Sequence, residues 1–471
     1  MKKNTLYITL FSILMTILFL PMAQEHLKIF RLKSLGGVTE VEKKPVLSWD
    51  NYKNGRLQSQ TEKYISKNFG FREWALRCYN QYVWSCYRKY YVNWIQRGPN
   101  DWLYQADNVE EYYQGLGHNQ LGGTDKAQQH LRKQAQRIYD IQQVLKQNGT
   151  HFFFCFYPGK EVICPEHLPE NTSYFKTKDF SAHDYLVTQF DSLGVNYIDF
   201  CKWFELLKNN ATYPLFAKTG THWTNVSSCY AADSIIHYLE HVGNINMHNL
   251  IISEPQLGKY RQPDADLEEI LNLIFPIKKG KIPNTKVSID NDPNAVRPKF
   301  INIGDSFYWN IVNNIPMRDI FSEFPYWYYN STIYFDANNT TTKDIDYSKE
   351  LLSADFVMLS YSTAQLYLMK GEFPQKAHLA LCNLEERDLL TKKYRGLVNR
   401  IIKELQEPHQ IERMREKASS KGITLEQALY DDAIWIINHK YNPDKIDIKA
   451  LLENNNNDTE NNLTSPSDSE S

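Results

Sequence analysis

Five short runs of apolar, β-prone residues punctuate the middle of this chain, at His151–Tyr157, Val195–Phe200, Phe300–Ile303, Thr332–Phe335 and Asp355–Ser360. Each has the length of a buried strand. Helical spacing separates several of them, at Ala182–Leu193, Asn225–His241 and Phe307–Asn314. Parallel neighbours need a crossover, so this alternation predicts an α/β domain with a mainly parallel sheet flanked by helices. Active sites of such sheets gather at the carboxyl ends of the strands. Ahead of the first run, Thr124–Asn148 carries Leu131, Ala135, Ile138, Ile141, Val144 and Leu145 at helical spacing, with Gly149 as the stop. Gln256–Asn294 is charged and irregular and reads as an insertion or long connection.

The flanks read differently. Lys2 and Lys3 precede an apolar run from Leu6 to Leu20, and the 21 positions between Lys3 and Glu25 carry no charge. That length spans a bilayer as a helix, and the two lysines put its start in the cytoplasm. Pro21-Met22-Ala23 is a poor cleavage site and no Cys follows it for lipid attachment, so an uncleaved signal anchor is favoured over a cleaved signal peptide. The bulk of the chain is then expected in the extracytoplasmic space, anchored at the inner membrane. Trp49–Tyr91 has helical character and many aromatics. After Gln375 the pattern turns helical again, with Leu384–Leu405 and Thr424–His439 lacking Pro. From Glu453 onward the chain is rich in Asn, Asp, Ser and Thr and is expected to be disordered. The organisation expected is therefore an anchor (1–25), a helical aromatic region (26–120), an α/β catalytic domain (121–375), a C-terminal helical extension (376–452) and a tail (453–471).

Composition narrows the partners. A formal charge of −2 over 471 residues recruits no nucleic acid. Aromatic residues reach 14%, enough for platforms under sugar rings, although ordinary packing accounts for most of them. The seven cysteines show no paired CxxC spacing, so neither a metal nor a cofactor is expected. Their odd number leaves at least one unpaired, and pairing is not assignable from spacing.

Two stretches carry chemistry. In Lys299-Phe300-Ile301-Asn302-Ile303-Gly304-Asp305-Ser306-Phe307 an apolar strand ends abruptly in Gly-Asp-Ser before a helix, which exposes Ser306 at the end of the sheet. The following helix start offers backbone donors for an oxyanion. The competing reading is an N-cap serine behind a turn aspartate. In Lys218-Thr219-Gly220-Thr221-His222-Trp223-Thr224 a histidine stands on a loop beside Trp223. It suits the general base that a serine nucleophile requires, against the plainer reading of a packed structural histidine.

Together the two stretches resemble the SGNH hydrolase-like domain of the alginate O-acetyltransferase family and its DHHW-type relatives. There an Asp-x-His-Trp segment precedes Gly-Asp/Thr-Ser-Phe, and here His222-Trp223 precedes Gly304-Asp305-Ser306-Phe307. Similarity extends to Asn68-Phe69-Gly70-Phe71-Arg72, Asp101-Trp102-Leu103-Tyr104, Tyr157-Pro158-Gly159-Lys160, Cys164-Pro165-Glu166-His167-Leu168-Pro169 and Ala354-Asp355-Phe356-Val357-Met358, about residues 40 to 375. The resemblance implies Ser306 as nucleophile and His222 as base in an extracytoplasmic polysaccharide O-acetyltransferase, supplied with acetyl groups by a multispanning membrane O-acyltransferase. Water as acceptor would make the same site an esterase. One departure stands out: the family's acid two positions before the histidine falls on Gly220. A backbone carbonyl or a strand-end carboxylate such as Asp199 is then expected to orient His222, while Asp305 reads as a turn-stabilising group. Lys160 and Arg318 are candidate substrate contacts or, more simply, solvated surface. The missing acid and the ring-rich Phe324–Tyr329 also admit a non-catalytic glycan-binding or scaffold member.

Overall fold

A computed structural model describes residues 3–37, 43–113, 116–170, 180–336, 340–382, 384–442, 448–449 and 451–452. Six strands form its main sheet, numbered here in chain order: β1 His151–Tyr157, β2 Tyr197–Asp199, β3 Phe300–Gly304, β4 Tyr326–Tyr328, β5 Thr332–Tyr334 and β6 Phe356–Ser362. The spatial order is β5-β4-β3-β6-β1-β2, with every pair parallel except β4–β5. The mainly parallel sheet expected from the alternation is present.

The reason lies in the strand residues. Along β1, Phe152, Phe154 and Phe156 enter one core cluster, with Leu131, Ile138 and Phe190 from the helices Thr124–Gln147 and Ala182–Leu193. Phe153, Cys155 and Tyr157 enter the other, against Ile235, Leu239 and Phe204 from Asn225–Gly243 and Phe200–Lys208. A strand buried on both faces must be apolar at every position, and each such phenylalanine contributes about 2–3 kcal/mol by burial.

One strand is not announced by periodicity. Phe324–Tyr329, read from sequence as a glycan platform, contains β4, in which Tyr326 and Trp327 are buried in the sheet. Trp327 packs into the core on one face of the sheet and Tyr326 into the core on the other, with Tyr328 half-buried beside it.

The excursion through Gln256–Asn294 has order of its own. Leu250–Ile252 pairs with Val287–Ile289, and Gln256–Gly258 with Ile282–Asn284, both antiparallel. The two ladders close a long arm at its base and leave a tip that carries the helix Asp266–Leu271. Leu267 and Leu271 pack with Trp84, Ile95 and Leu103, so the tip is seated on the N-terminal region.

Before the sheet lie the helices Trp49–Lys53, Arg56–Asn68 and Arg72–Tyr87, preceded by Lys3–Leu27. Within the last, Thr5–Leu27 is long and apolar enough to cross a membrane. Beyond the sheet, Leu384–Leu405 and Leu425–Lys440 match the sequence pattern, and Pro408–Lys421 adds a third helix. That helix buries only Met414 and Ala418, too few for periodicity to mark it. The three share a core of Val398, Ile401, Met414, Leu429 and Ile437. The tail from Glu453 lies outside the described residues. All seven cysteines are free thiols, Cys155, Cys164, Cys201 and Cys229 among them buried.

Candidate active site

Ser306 stands in the turn between β3 and the helix Tyr308–Asn314. Register makes that turn. β6 runs alongside β3 from Phe356↔Phe300 to Ser360↔Gly304 and then continues, so its Ser362 N–H is left facing the turn and donates to Asp305 Oδ2 at 2.7 Å. Asp305 Oδ1 accepts from Phe307 N at 3.1 Å, and Tyr326 Oη–H donates to the Asp305 carbonyl. Asp305 is thus buried and spent on the turn, and burial pushes its carboxyl up. Gly304 is required here because a Cβ would collide with Ser360.

The loop bearing His222 is closed by an antiparallel bridge between Phe216 and Trp223, and Thr224 then caps the helix Asn225–Gly243. Trp223 is fully buried; its Nε1–H donates to Phe307 O at 3.2 Å and its own carbonyl accepts from Asn310 Nδ2 at 2.7 Å. It clamps the histidine loop to the serine turn. Across that clamp His222 Nε2 lies 2.9 Å from Ser306 Oγ, although 84 residues separate the two in sequence.

The carboxylate beside His222 is Asp266, which sequence reasoning did not single out. His222 Nδ1 lies 2.8 Å from Asp266 Oδ2, while Asp266 Oδ1 accepts from Thr221 N at 2.9 Å and Leu267 N at 2.7 Å. A carboxylate at Nδ1 holds the ring proton there, which leaves Nε2 as the acceptor for the serine hydroxyl. Gly220 explains why the acid sits elsewhere. A Cβ at Gly220 would lie 2.7 Å from the carbonyl oxygens of Pro263 and Asp264, so the backbone that delivers Asp266 fills the space an acidic side chain would need.

Asp199 does not orient His222. It caps the helix Phe200–Lys208 through Lys202 N at 3.1 Å and meets His183 Nε2 at 3.1 Å, at the far edge of the sheet on β2. With Cys201 these two form a group whose ligand atoms lie within 4.8 Å of one another, the described residues that come nearest to a metal-ligand set.

Lys160 is not solvated surface. It is buried, and its Nζ donates to the carbonyls of Leu103 at 2.7 Å, Lys218 at 3.0 Å and Gly220 at 2.9 Å, which ties the histidine loop to the strand Leu103–Gln105. Burial pushes its ammonium down to about 7. Arg318 is exposed, and its carbonyl accepts from Arg297, just before β3 begins and thus at the opposite end of the sheet from Ser306.

A second residue that sequence reasoning missed is Tyr329, whose hydroxyl lies near Ser306. Its backbone is left-handed, φ +47°, a costly conformation for a ring residue. The surroundings hold it: Tyr329 N donates to Gly304 O at 2.8 Å, and neighbouring Asn330 is bonded by Tyr347 Oη–H at 2.9 Å and bonds Gly371 O at 2.8 Å. Burial pushes the phenol up, so it stays a hydrogen-bond donor at neutral pH.

A serine on the turn after a central parallel strand, with a histidine from an earlier loop at its hydroxyl, is an arrangement suited to acyl transfer, and the fold that carries it is an SGNH hydrolase-like α/β fold. More particularly, residues 95–271 match the family described as the SGNH hydrolase-like domain of acetyltransferase AlgX, a stretch that includes His222 and Asp266 and ends before Ser306. Among solved structures, the O-acetyltransferase domain of Pseudomonas putida AlgJ is 15% identical, with 58% of this chain and 92% of that one covered and a TM-score of 0.38. Pseudomonas aeruginosa AlgX is 13% identical over 62% and 68% (TM-score 0.39), and Bacillus cereus PatB1 14% identical over 60% and 98% (TM-score 0.37). No curated protein sequence matches the chain.

Proposed function

We propose that this chain is an extracytoplasmic O-acetyltransferase, held at the inner membrane by its N-terminal helix and acting on the hydroxyls of a polysaccharide. The observation that carries the reading is the continuous hydrogen-bond chain from Ser306 through His222 to Asp266, at 2.9 and 2.8 Å. The family description, which names an acetyltransferase, supports the same chemistry.

Ser306 Oγ attacks the carbonyl carbon of the acetyl donor while its proton passes to His222 Nε2, and Asp266 stabilises the imidazolium. The oxyanion forms beside the start of the helix Tyr308–Asn314, where the Tyr329 hydroxyl is a nearby donor. Collapse expels the donor's leaving group, which takes the proton from His222 and leaves acetyl-Ser306. An acceptor hydroxyl then gives its proton to His222 and attacks the ester, the bond to Oγ breaks, and Oγ recovers the proton. A multispanning membrane acyltransferase would supply the donor.

On the acceptor side, Tyr329 lines a cleft of about 720 Å³ with Gln105, Asn108, Gln134, Lys370 and Gln375. The buried Oε1 atoms of Gln134 and Gln375 have no hydrogen-bond partner among the described residues, and sugar hydroxyls would satisfy them. The carboxylate of Asp266 at His222, and the burial of Tyr326 and Trp327 in the sheet, support the catalytic reading over a glycan-binding one.

The test incubates the full chain in membranes with p-nitrophenyl acetate and oligosaccharide across roughly pH 6 to 9. Acetyl on the Ser306 peptide, lost in Ser306→Ala and His222→Ala, and transfer to sugar in excess of hydrolysis are expected. Hydrolysis without transfer would make the chain an esterase, and absence of a Ser306-dependent adduct would overturn the proposal.

A further inference from the structure

The helix Arg72–Tyr87 has two unlike sides. Its inner side is fully used: Asn80 Nδ2 donates to Leu271 O at 3.0 Å, Arg77 Nη1 to Leu273 O at 3.4 Å, Gln81 Oε1 accepts from Ile274 N and Phe275 N at 3.1 and 2.9 Å, and Trp84 is buried against Leu267 and Leu271. The outer side holds Trp74, Ala75, Cys78, Tyr79, Tyr82, Ser85 and Cys86, a sector of about 140° without a single charge. Trp74, Tyr79 and Tyr82 are 59%, 51% and 54% exposed. An uncharged aromatic face of this kind on a water-soluble helix marks a contact surface.

Its neighbour identifies the contact. Gly70, just before the helix, packs so closely on the backbone of Pro21 that a Cβ would collide with that carbonyl, and the rings of Phe71 and Phe30 lie 5.8 Å apart. The aromatic helix therefore starts beside the non-cytoplasmic end of the apolar helix Thr5–Leu27, at the height of lipid headgroups. Tyr and Trp are the residues that favour this layer, because their rings bury apolar area while hydroxyl and indole N–H stay hydrated. Tyr79 stacks on Tyr91 and Tyr82 meets Tyr87 edge to face, each pair joined by its hydroxyls at 3.1 Å, so the pairs widen the aromatic surface while Tyr79, Tyr82, Tyr87 and Tyr91 all stay exposed.

We infer that the outer face of Arg72–Tyr87 rests in the headgroup layer of the membrane that the N-terminal helix crosses. The inference rests on the membrane-anchored reading above and deepens it. The catalytic acid's helix, Asp266–Leu271, is bonded to the back of this same helix, so seating the aromatic face in lipid holds the active site at a fixed height above the bilayer.

The experiment places p-benzoylphenylalanine at Tyr82, or in a second variant at Trp74, in the full chain reconstituted in vesicles of phosphatidylethanolamine and phosphatidylglycerol. The control position is Trp435, equally exposed on the C-terminal helix Leu425–Lys440. After illumination a lipid-mass adduct is expected at 82 and 74 and none at 435. Intact mass verifies that the N-terminal helix is retained, and thermal melting that each variant is folded. No lipid adduct at either position, adducts to protein alone, equal adducts at 435, or loss of the N-terminal helix from the mature chain each overturn the inference. The readout is independent of acetyl transfer, so failure of the enzymatic reading leaves it intact and separately visible.

Discussion

Asp266 divides its labour between two oxygens: Oδ1 is pinned by Thr221 N and Leu267 N, and Oδ2 faces the imidazole. Replacing it with asparagine keeps the shape and allows the amide to drive His222 into the wrong tautomer. Turnover in Asp266→Asn is expected to fall on the order of 10⁴-fold, as in the serine-protease template, with substrate affinity little changed, measured as kcat and KM on p-nitrophenyl acetate. Two residues earlier, burial and the nearby Asp266 charge push the Asp264 carboxyl up to about 6. Between its ordinary value of 3.8 and about 6 the folded chain binds this proton more tightly than the unfolded chain does, so the stability it contributes declines as pH rises through that window. Above it the buried anion is a cost. Asp264→Asn should therefore raise stability at pH 7.5 by up to about 3 kcal/mol and leave it little changed near pH 4, read from melting curves at the two values.

At the level of elements, the site is three segments meeting at one end of a sheet. The turn after β3 and the loop before Asn225–Gly243 were legible in the sequence because glycine, serine, histidine and cap residues signal turns by local chemistry. The third segment was not. Its acid lies 44 residues from His222 in a charged stretch with several other carboxylates, and only the antiparallel closing of Leu250–Ile252 on Val287–Ile289 brings the arm's tip back over the strand ends. Gly220 shows how tight that return is. Restoring an acid there, Gly220→Asp, is expected to push the 263–266 backbone away, lowering Ser306 acylation at least as far as Asp266→Asn does and destabilising the fold by about 1–3 kcal/mol. A Gly220→Asp variant with full activity would show that the family's acid position is still usable.

On the scale of the whole molecule, the chain is an apolar N-terminal helix, an SGNH-like sheet with its arm, and a group of C-terminal helices built around a core of their own. Every buried member of that core lies beyond residue 382, with Leu379 of the preceding helix packed against it, so it makes few demands on the sheet. A chain ending at residue 382 is accordingly expected to keep Ser306 acylation within about twofold of the full chain. A larger loss would assign the C-terminal helices a part in holding the site.

What the amino-acid order determined unaided was whatever depends on near neighbours: apolar strands, helices with their caps, the membrane-length run, and the turns that carry Ser306 and His222. Tertiary structure alone decided that Asp266 serves His222, that Lys160 is a buried strut, that β4 is core, and that Tyr329 is bent toward Ser306. Those four facts turn on strand register and on the closure of a long arm. Neither is written in any short stretch of chain, because both are set by which distant surfaces exclude water from one another.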